Sequence, residues 1–279
     1  MIILAAVILV LLVLIALIAG FVTAGGLFAW YEQANLRPEL MARRFTPASL
    51  AFAASLMLRE TLCLAVTILL LPWGWLPPWR RHIPRQRTPI LFLHGLFQNR
   101  ACWLYLRLRL RLLGIPSLHA INLPPWKDIE SLTERVAIKV DELRLASGCE
   151  RVHLVGHSMG GIIARNYIQL RGGAPKVERC ILLAAPHGGS KLAALALSPL
   201  AKSLLPGSEL LRRLVQAPLP AKVHLTSLYS RHDTLVLPPT NARLEGTENI
   251  ELTGIGHTSL LYHKPTLKAL SERLDERSA

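Results

Sequence analysis

The stretch Val152-His153-Leu154-Val155-Gly156-His157-Ser158-Met159-Gly160-Gly161-Ile162-Ile163 decides the fold. Val152 to Val155 is an apolar run of β type, and Gly160 to Leu170 reads as a helix. A strand that turns sharply into a helix brings backbone against backbone, so only residues without Cβ fit on either side of the intervening serine. Ser158, between Gly156 and Gly160, is thereby held at the tip of the turn with its hydroxyl exposed. The strand before and the helix after distinguish this nucleophile elbow from a chance G-x-S-x-G.

Working outward, Ser158 is followed by Asp233 in Ser230-Arg231-His232-Asp233-Thr234 and then by His257 in Gly254-Ile255-Gly256-His257. Val223 to Tyr229 and Asn249 to Leu252 read as the last two strands, which leaves Asp233 and His257 on loops beyond strand ends, where an open parallel sheet places its site. Upstream, Ile90 to Leu93 reads as a buried strand that runs into His94-Gly95-Leu96-Phe97. Gly95 lets that loop approach the serine, so the amides of Leu96 and Met159 are the expected oxyanion hole.

These residues, in the order Ser, Asp, His, make residues 88–279 resemble the α/β-hydrolase lipases and esterases, in particular small bacterial triacylglycerol lipases with His-Gly-apolar, Gly-His-Ser-Met-Gly-Gly and Gly-x-Gly-His. Pro186-His187-Gly188-Gly189-Ser190 is similar to a Thr-Pro-His-Gly-Gly segment common in that group, with Ala185 where threonine is usual. Pro206-Gly207-Ser208-Glu209 resembles a segment that follows it there. The resemblance implies an α/β-hydrolase fold with a mainly parallel sheet, and carboxyl-ester hydrolysis with neither metal nor organic cofactor. In that scheme Ser158 attacks, His257 takes and returns its proton, and Asp233 orients the imidazole. Acyl lipids are the expected substrates; an acyl thioesterase using the same residues and a catalytically silent scaffold are the alternatives.

Other titratable residues rank lower. Glu245 and Glu251 lie farther from the inferred strand end than Asp233. His94 is expected to support the oxyanion loop, and His157 is the variable position inside the elbow. His187, His224, His232 and His263 read first as solvated or internally satisfied residues, although His187 stands with Phe97 as a candidate pocket residue.

The first third of the chain is different material. No charged side chain occurs from Met1 to Tyr31, and Ile2 to Val22 alone supplies the ~20 helical residues needed to cross a hydrocarbon layer of about 30 Å. Residues 1–31 are therefore expected to be a transmembrane anchor; a cleaved signal peptide would want a positively charged beginning. Residues 32–87 hold a second apolar tract, Phe45 to Trp79, interrupted by Arg59-Glu60. Two ionisable groups in mid-span each cost about 2.5–3.5 kcal/mol on insertion scales, so a second span and an embedded amphipathic segment are both open. Trp73, Trp75 and Trp79 among Pro72, Pro77, Pro78 and Pro84 read as an interfacial belt and a stop. Arg80, Arg81, Arg85 and Arg87 form a basic linker suited to anionic headgroups. Arg37, Arg43 and Arg44 follow the first segment, and the positive-inside bias is satisfied when that segment alone spans, with the catalytic unit on the cytoplasmic side of a bacterial inner membrane; a two-span hairpin leaves either side open.

The net charge of +14 divides into +5 over residues 1–88 (8 basic, 3 acidic) and +9 over residues 89–279 (24 basic, 15 acidic). No nucleic-acid motif accompanies this charge, and anionic lipid satisfies it equally. The four cysteines have no metal-type spacing; a Cys149–Cys180 bond stays open, with free buried thiols the expectation. Leu104 to Leu112 alternates leucine with Arg107, Arg109 and Arg111 in the manner of a strand, yet the Trp103, Leu106, Leu110, Leu113 stripe and its place after the oxyanion loop favour a helix. Residues 190–219 hold short amphipathic helices, Leu192 to Leu205 and Glu209 to Leu214, where a small cap is expected.

Overall fold

The computed structural model describes residues 1–36, 38–39, 44–76 and 83–274. Arg37, Arg43, Pro77, Pro78, Trp79, Arg80 and Arg81, named above for the belt, the linker and the topology, lie outside the described residues.

Six parallel strands form one sheet: β1 (Ile90–Leu93), β2 (Leu118–Ile121), β3 (Val152–His157), β4 (Val177–Leu183), β5 (His224–Ser230) and β6 (Glu248–Leu252), in the order β2-β1-β3-β4-β5-β6. The order reverses between β1 and β3, so their carboxyl ends diverge and leave a crevice there. Strands buried on both faces read as continuous apolar runs, and all four residues of β1 are buried. Ile90 and Phe92 face one layer, with Leu106 and Leu110 of α4 (Leu104–Leu112) and Leu267 and Leu270 of α9 (Lys264–Leu274). Leu91 and Leu93 face the other, with Val136 and Val140 of α5 (Ile129–Ser147), Ile162 of α6 (Met159–Arg165) and Leu211 of α8 (Glu209–Gln216). Burial, not alternation, decides the leucine-arginine run: it is helix α4, with Leu106 and Leu110 inward. The Arg107 guanidinium donates to the Leu118 carbonyl at 3.0 Å.

The expected first cap helix is shorter than its apolar pattern, being a 3₁₀ turn at Lys191–Leu195 and then α7 (Pro199–Lys202). Pro199 opens the second piece at the helix start, where its missing N–H is not needed. All four cysteines are free.

Helix α1 (Ile2–Leu36) runs past Tyr31, and α2 (Pro47–Leu69) starts at Thr46, whose side chain caps the Ser49 amide. Leu70 breaks the second tract, and α3 (Leu71–Trp75) follows with Pro72 in its first turn. Both α1 from Leu4 onward and α2 are long and apolar enough to cross a membrane. Composition changes near residues 31 and 87, but the packing crosses both places. A Cβ on Gly25 of α1 would sit 3.0 Å from the Thr234 carbonyl, so α1 rests on the loop after β5. Glu32 of α1 pairs with Lys191 at 2.5 Å, and a Cβ on Gly26 would meet the Met57 sulfur of α2. Glycine weakens a helix interior, and here the pair permits two close approaches.

Candidate active site

Ser158 stands between the end of β3 and the start of α6 with φ 54° and ψ −124°, a conformation that costs a non-glycine residue about 1–3 kcal/mol. The turn is locked on both sides: the Ser158 amide donates to the Leu183 carbonyl at 2.8 Å, and the Gly161 amide to the Ser158 carbonyl at 2.9 Å. A Cβ on Gly156 would lie 2.6 Å from the Gly161 Cα, and one on Gly160 would lie 2.2 Å from the Leu93 carbonyl oxygen. Those contacts are with backbone, which cannot swing aside, so both glycines are required by space.

Asp233 and His257 meet from the loops after β5 and β6, with His257 Nδ1 2.8 Å from Asp233 Oδ2. Asp233 is fully buried, and its other oxygen accepts the amides of Leu235 and Val236, each at 2.8 Å. An acceptor-only carboxylate requires the proton on Nδ1, which leaves Nε2 of a neutral His257 as the basic nitrogen. Burial by itself disfavours the His257 imidazolium, but the charge and hydrogen bond of Asp233, with the more distant charge of Glu60, outweigh it and raise the pKa. Neither alternative acid is near: Glu251 is held by Tyr229 and Arg231, and Glu245 is exposed.

The loop after β1 is fixed from below. His94 Nε2 accepts the Leu123 amide at 2.8 Å, so its Nδ1 carries the proton and donates to the Gly95 carbonyl at 2.8 Å. Burial pushes its pKa down to about 4 and keeps that tautomer neutral. Gln98, which the sequence did not single out, accepts the Gly95 amide at 3.1 Å and faces His157. The next-but-one residue, Phe97, sits at φ 57°, a left-handed conformation strained for a bulky side chain. His157 donates from Nε2 to the His257 carbonyl at 3.2 Å, and burial, followed by the neighbouring His257 charge, drives its pKa well below the ordinary range. Its ring packs against that of His257, with centroids 4.7 Å apart.

Ser158, His257, Leu96 and Phe97 line one cavity of about 700 Å³, and Met159 begins α6 immediately after the serine. The cavity's other walls are mostly apolar and include Leu192, Leu195 and Leu204 of the cap region, Leu17, Phe21 and Phe28 of α1, Leu64 and Ile68 of α2, and Leu235 and Val236 of the loop after β5. A second cavity, lined by Arg179, His224 and Glu248, lies at the amino ends of the strands, opposite Ser158. His187, expected with Phe97 at the pocket, is not in its wall, although Pro186 is. The reason is the buried Arg165 guanidinium, which donates to His187 Nδ1 at 3.2 Å and holds the ring toward Ser227. Burial, and then that cation, push the His187 pKa well down, so the ring serves as a neutral acceptor.

Arg59 and Glu60 were legible only as an interruption in an apolar tract. Glu60 Oε1 and Oε2 accept the amides of Thr258 and Ser259 at 2.5 and 3.0 Å, and Arg59 Nη1 donates to the Gly254 carbonyl at 2.9 Å. The available signal was the pair itself, since ionisable residues in an apolar helix demand partners.

A strained serine at the carboxyl end of a parallel sheet, with a buried histidine–carboxylate pair on later loops, defines the α/β-hydrolase class. The sequence profile of the alpha/beta hydrolase family matches residues 90–261, and the chain belongs to that family. The fold is similar to the mature Bacillus licheniformis lipase BlEst2, with a TM-score of 0.60 and 23% identity over 71% of this chain and 96% of that one. Aspergillus fumigatus lipase B gives 0.61 at 20% identity, covering 69% of this chain and 55% of that one. A Paleococcus ferrophilus monoacylglycerol lipase gives 0.53 at 16% identity, covering 67% and 95%.

Proposed function

We propose that the protein is a membrane-associated serine hydrolase that cleaves carboxylic esters of acyl lipids. The observation that carries the reading is the cavity above Ser158: its walls are mostly apolar, and one of them is built by the two membrane-type helices. Its volume is within the ~300–1,000 Å³ of ligand sites, and such walls suit an acyl chain better than a polar substrate. Leu17, Phe21, Phe97 and Leu195 both line it and are largely exposed, so its rim is apolar where a lipid would enter.

In the mechanism Ser158 Oγ attacks the ester carbonyl while Nε2 of His257 removes its proton; the imidazolium, held by Asp233, then returns that proton to the leaving alcohol. Amides of Leu96 and Met159 stabilise the oxyanion, at about 3–4 kcal/mol per donor in comparable sites. Water, deprotonated by the same imidazole, then attacks the acyl carbonyl; the bond to Ser158 Oγ breaks, Oγ takes the proton back and the carboxylic acid leaves.

Ser158→Ala is expected to abolish hydrolysis of p-nitrophenyl butyrate and decanoate, and reaction with a fluorophosphonate, while leaving the protein folded and membrane-bound. Turnover retained in that variant overturns the assignment. Preference for acyl-CoA over a phospholipid or glyceride identifies a thioesterase instead, and a wild-type chain that neither turns over nor labels is a silent scaffold. On charge, the arginines after α1 favour a catalytic unit on the cytoplasmic face of a bacterial inner membrane, with anionic headgroups beside the basic residues. Protease access to a C-terminal tag in sealed inverted vesicles tests that side.

A further inference from the structure

Residues 254–259, which carry His257, have little secondary structure of their own to fix them. Gly254 occupies the left-handed region at φ 72°, its amide donates to His232 Nδ1 at 3.0 Å, and its carbonyl accepts from Arg59. Immediately after His257, the amides of Thr258 and Ser259 have no carbonyl partner from a helix or strand; they point at α2 and share the two oxygens of the Glu60 carboxylate. Glu60 is 2% exposed. Gly256 makes the approach possible, because a Cβ there would stand 2.4 Å from Glu60 Oε2. The residue before His257 and the two after it therefore rest on one carboxylate from an apolar helix.

We infer that Glu60 is a positioning residue for the base: from α2 it fixes the loop of His257, with Arg59 holding the start of the same loop. The inference rests on the reading of His257 as the base. A ~1 Å displacement of a general base is enough to slow proton transfer about a hundredfold, so a grip on two consecutive amides next to it bears on kcat and not only on stability. The charged and titratable groups that face His257 are Asp233 from the β5 loop, Glu60 from α2 and neutral His157 from the elbow. Two of these are carboxylates that favour the imidazolium. Neutralising Glu60 therefore lowers the pKa of His257, and the base stays unprotonated to lower pH.

The test uses the full chain in detergent, with p-nitrophenyl butyrate as substrate and rates normalised to fluorophosphonate-reactive sites. Glu60→Gln is expected to lower kcat about tenfold or more with little change in KM, and to move the acidic limb of the rate profile to lower pH. Glu60→Asp keeps the charge and is expected to return the limb toward its wild-type position. Arg59→Met, which frees only the Gly254 carbonyl, is expected to lower kcat severalfold and decides the matter if Glu60→Gln does not accumulate as folded protein. A fall in melting temperature with wild-type kcat per reactive site and an unmoved limb overturns the inference, as do wild-type rates in the Arg59→Met chain when it alone can be measured. If the wild-type chain shows no Ser158-dependent turnover, the functional reading fails and the inference with it; wild-type behaviour of the variants beside an active parent removes the inference alone.

Discussion

Asp233 has every side-chain oxygen engaged, one by His257 and the other by two amides, and this determines what its replacement does. Asp233→Asn keeps an oxygen for the two amides only by turning its NH₂ toward His257 Nδ1, which then must accept. The proton moves to Nε2, where it blocks removal of the serine proton. A loss in kcat of about 10⁴ is expected with a near-native circular dichroism spectrum. Rates within tenfold of wild type place the acid elsewhere. The same ring sets the pH dependence. Its pKa is raised, the proposed mechanism needs the neutral form, and so kcat/KM is expected to rise with pH through a midpoint above the ordinary histidine value of about 6.5. A midpoint below that value contradicts the stated balance of charges around His257. The places of Ser158, Asp233, His257 and His94 in the fold were legible because each sits in a short segment whose own residue types imply its local geometry. His187 was not, because its place is set by a cation from another element, Arg165.

At the scale of elements, the elbow and the β1 loop could be read locally, whereas α1 and α2 could be read only in part. Length and apolarity identify both as membrane-type helices, and nothing in periodicity tells which turns face lipid and which face protein. Glu60 meets its partners 198 and 199 residues away in sequence, beyond any local pattern. Gly25 shows what such docking requires. Its absent side chain lets α1 lie against the Thr234 carbonyl, one residue from Asp233, and brings Phe21 and Phe28 into the cavity wall. Gly25→Leu is expected to wedge α1 away from that carbonyl and open the acyl cavity. KM for a decanoate ester should rise about tenfold while that for an acetate ester changes less than threefold. Equal effects on both chain lengths count against α1 as part of the substrate wall. Gly26→Ala is the gentler comparison, since the atom it meets is the flexible Met57 sulfur.

For the whole molecule, the proposed function turns on how a cavity walled by membrane-type helices would meet a bilayer. Helix α1 has 35 residues, and at 1.5 Å per residue it is about 52 Å long, more than the ~30 Å hydrocarbon layer requires. Its two halves differ in surroundings. Ile18, Val22 and Glu32 are buried against the rest of the protein and Gly25 touches the β5 loop, whereas Leu4, Leu9, Val10, Leu12 and Leu17 are largely exposed. The buried positions of α1 thus begin at Ile18, and residues 4–16, the greater part of its first half, are mostly exposed. On the proposed function, insertion of that half would set the hydrolase unit against the headgroup layer with the apolar rim of the cavity toward the bilayer, and substrate would reach Ser158 without passing through water. Charges in the first half separate anchoring from chemistry. Leu9→Lys combined with Val13→Lys is expected to abolish flotation with phosphatidylglycerol-containing vesicles. It should leave kcat/KM for p-nitrophenyl butyrate in detergent within twofold of wild type, and lower hydrolysis of vesicle lipid at least tenfold. These positions lie outside the cavity wall, so a collapse of butyrate turnover shows that the first half also supports the fold. Unchanged hydrolysis of vesicle lipid by a variant that no longer floats shows that substrate reaches Ser158 through water, and the bilayer route is then wrong.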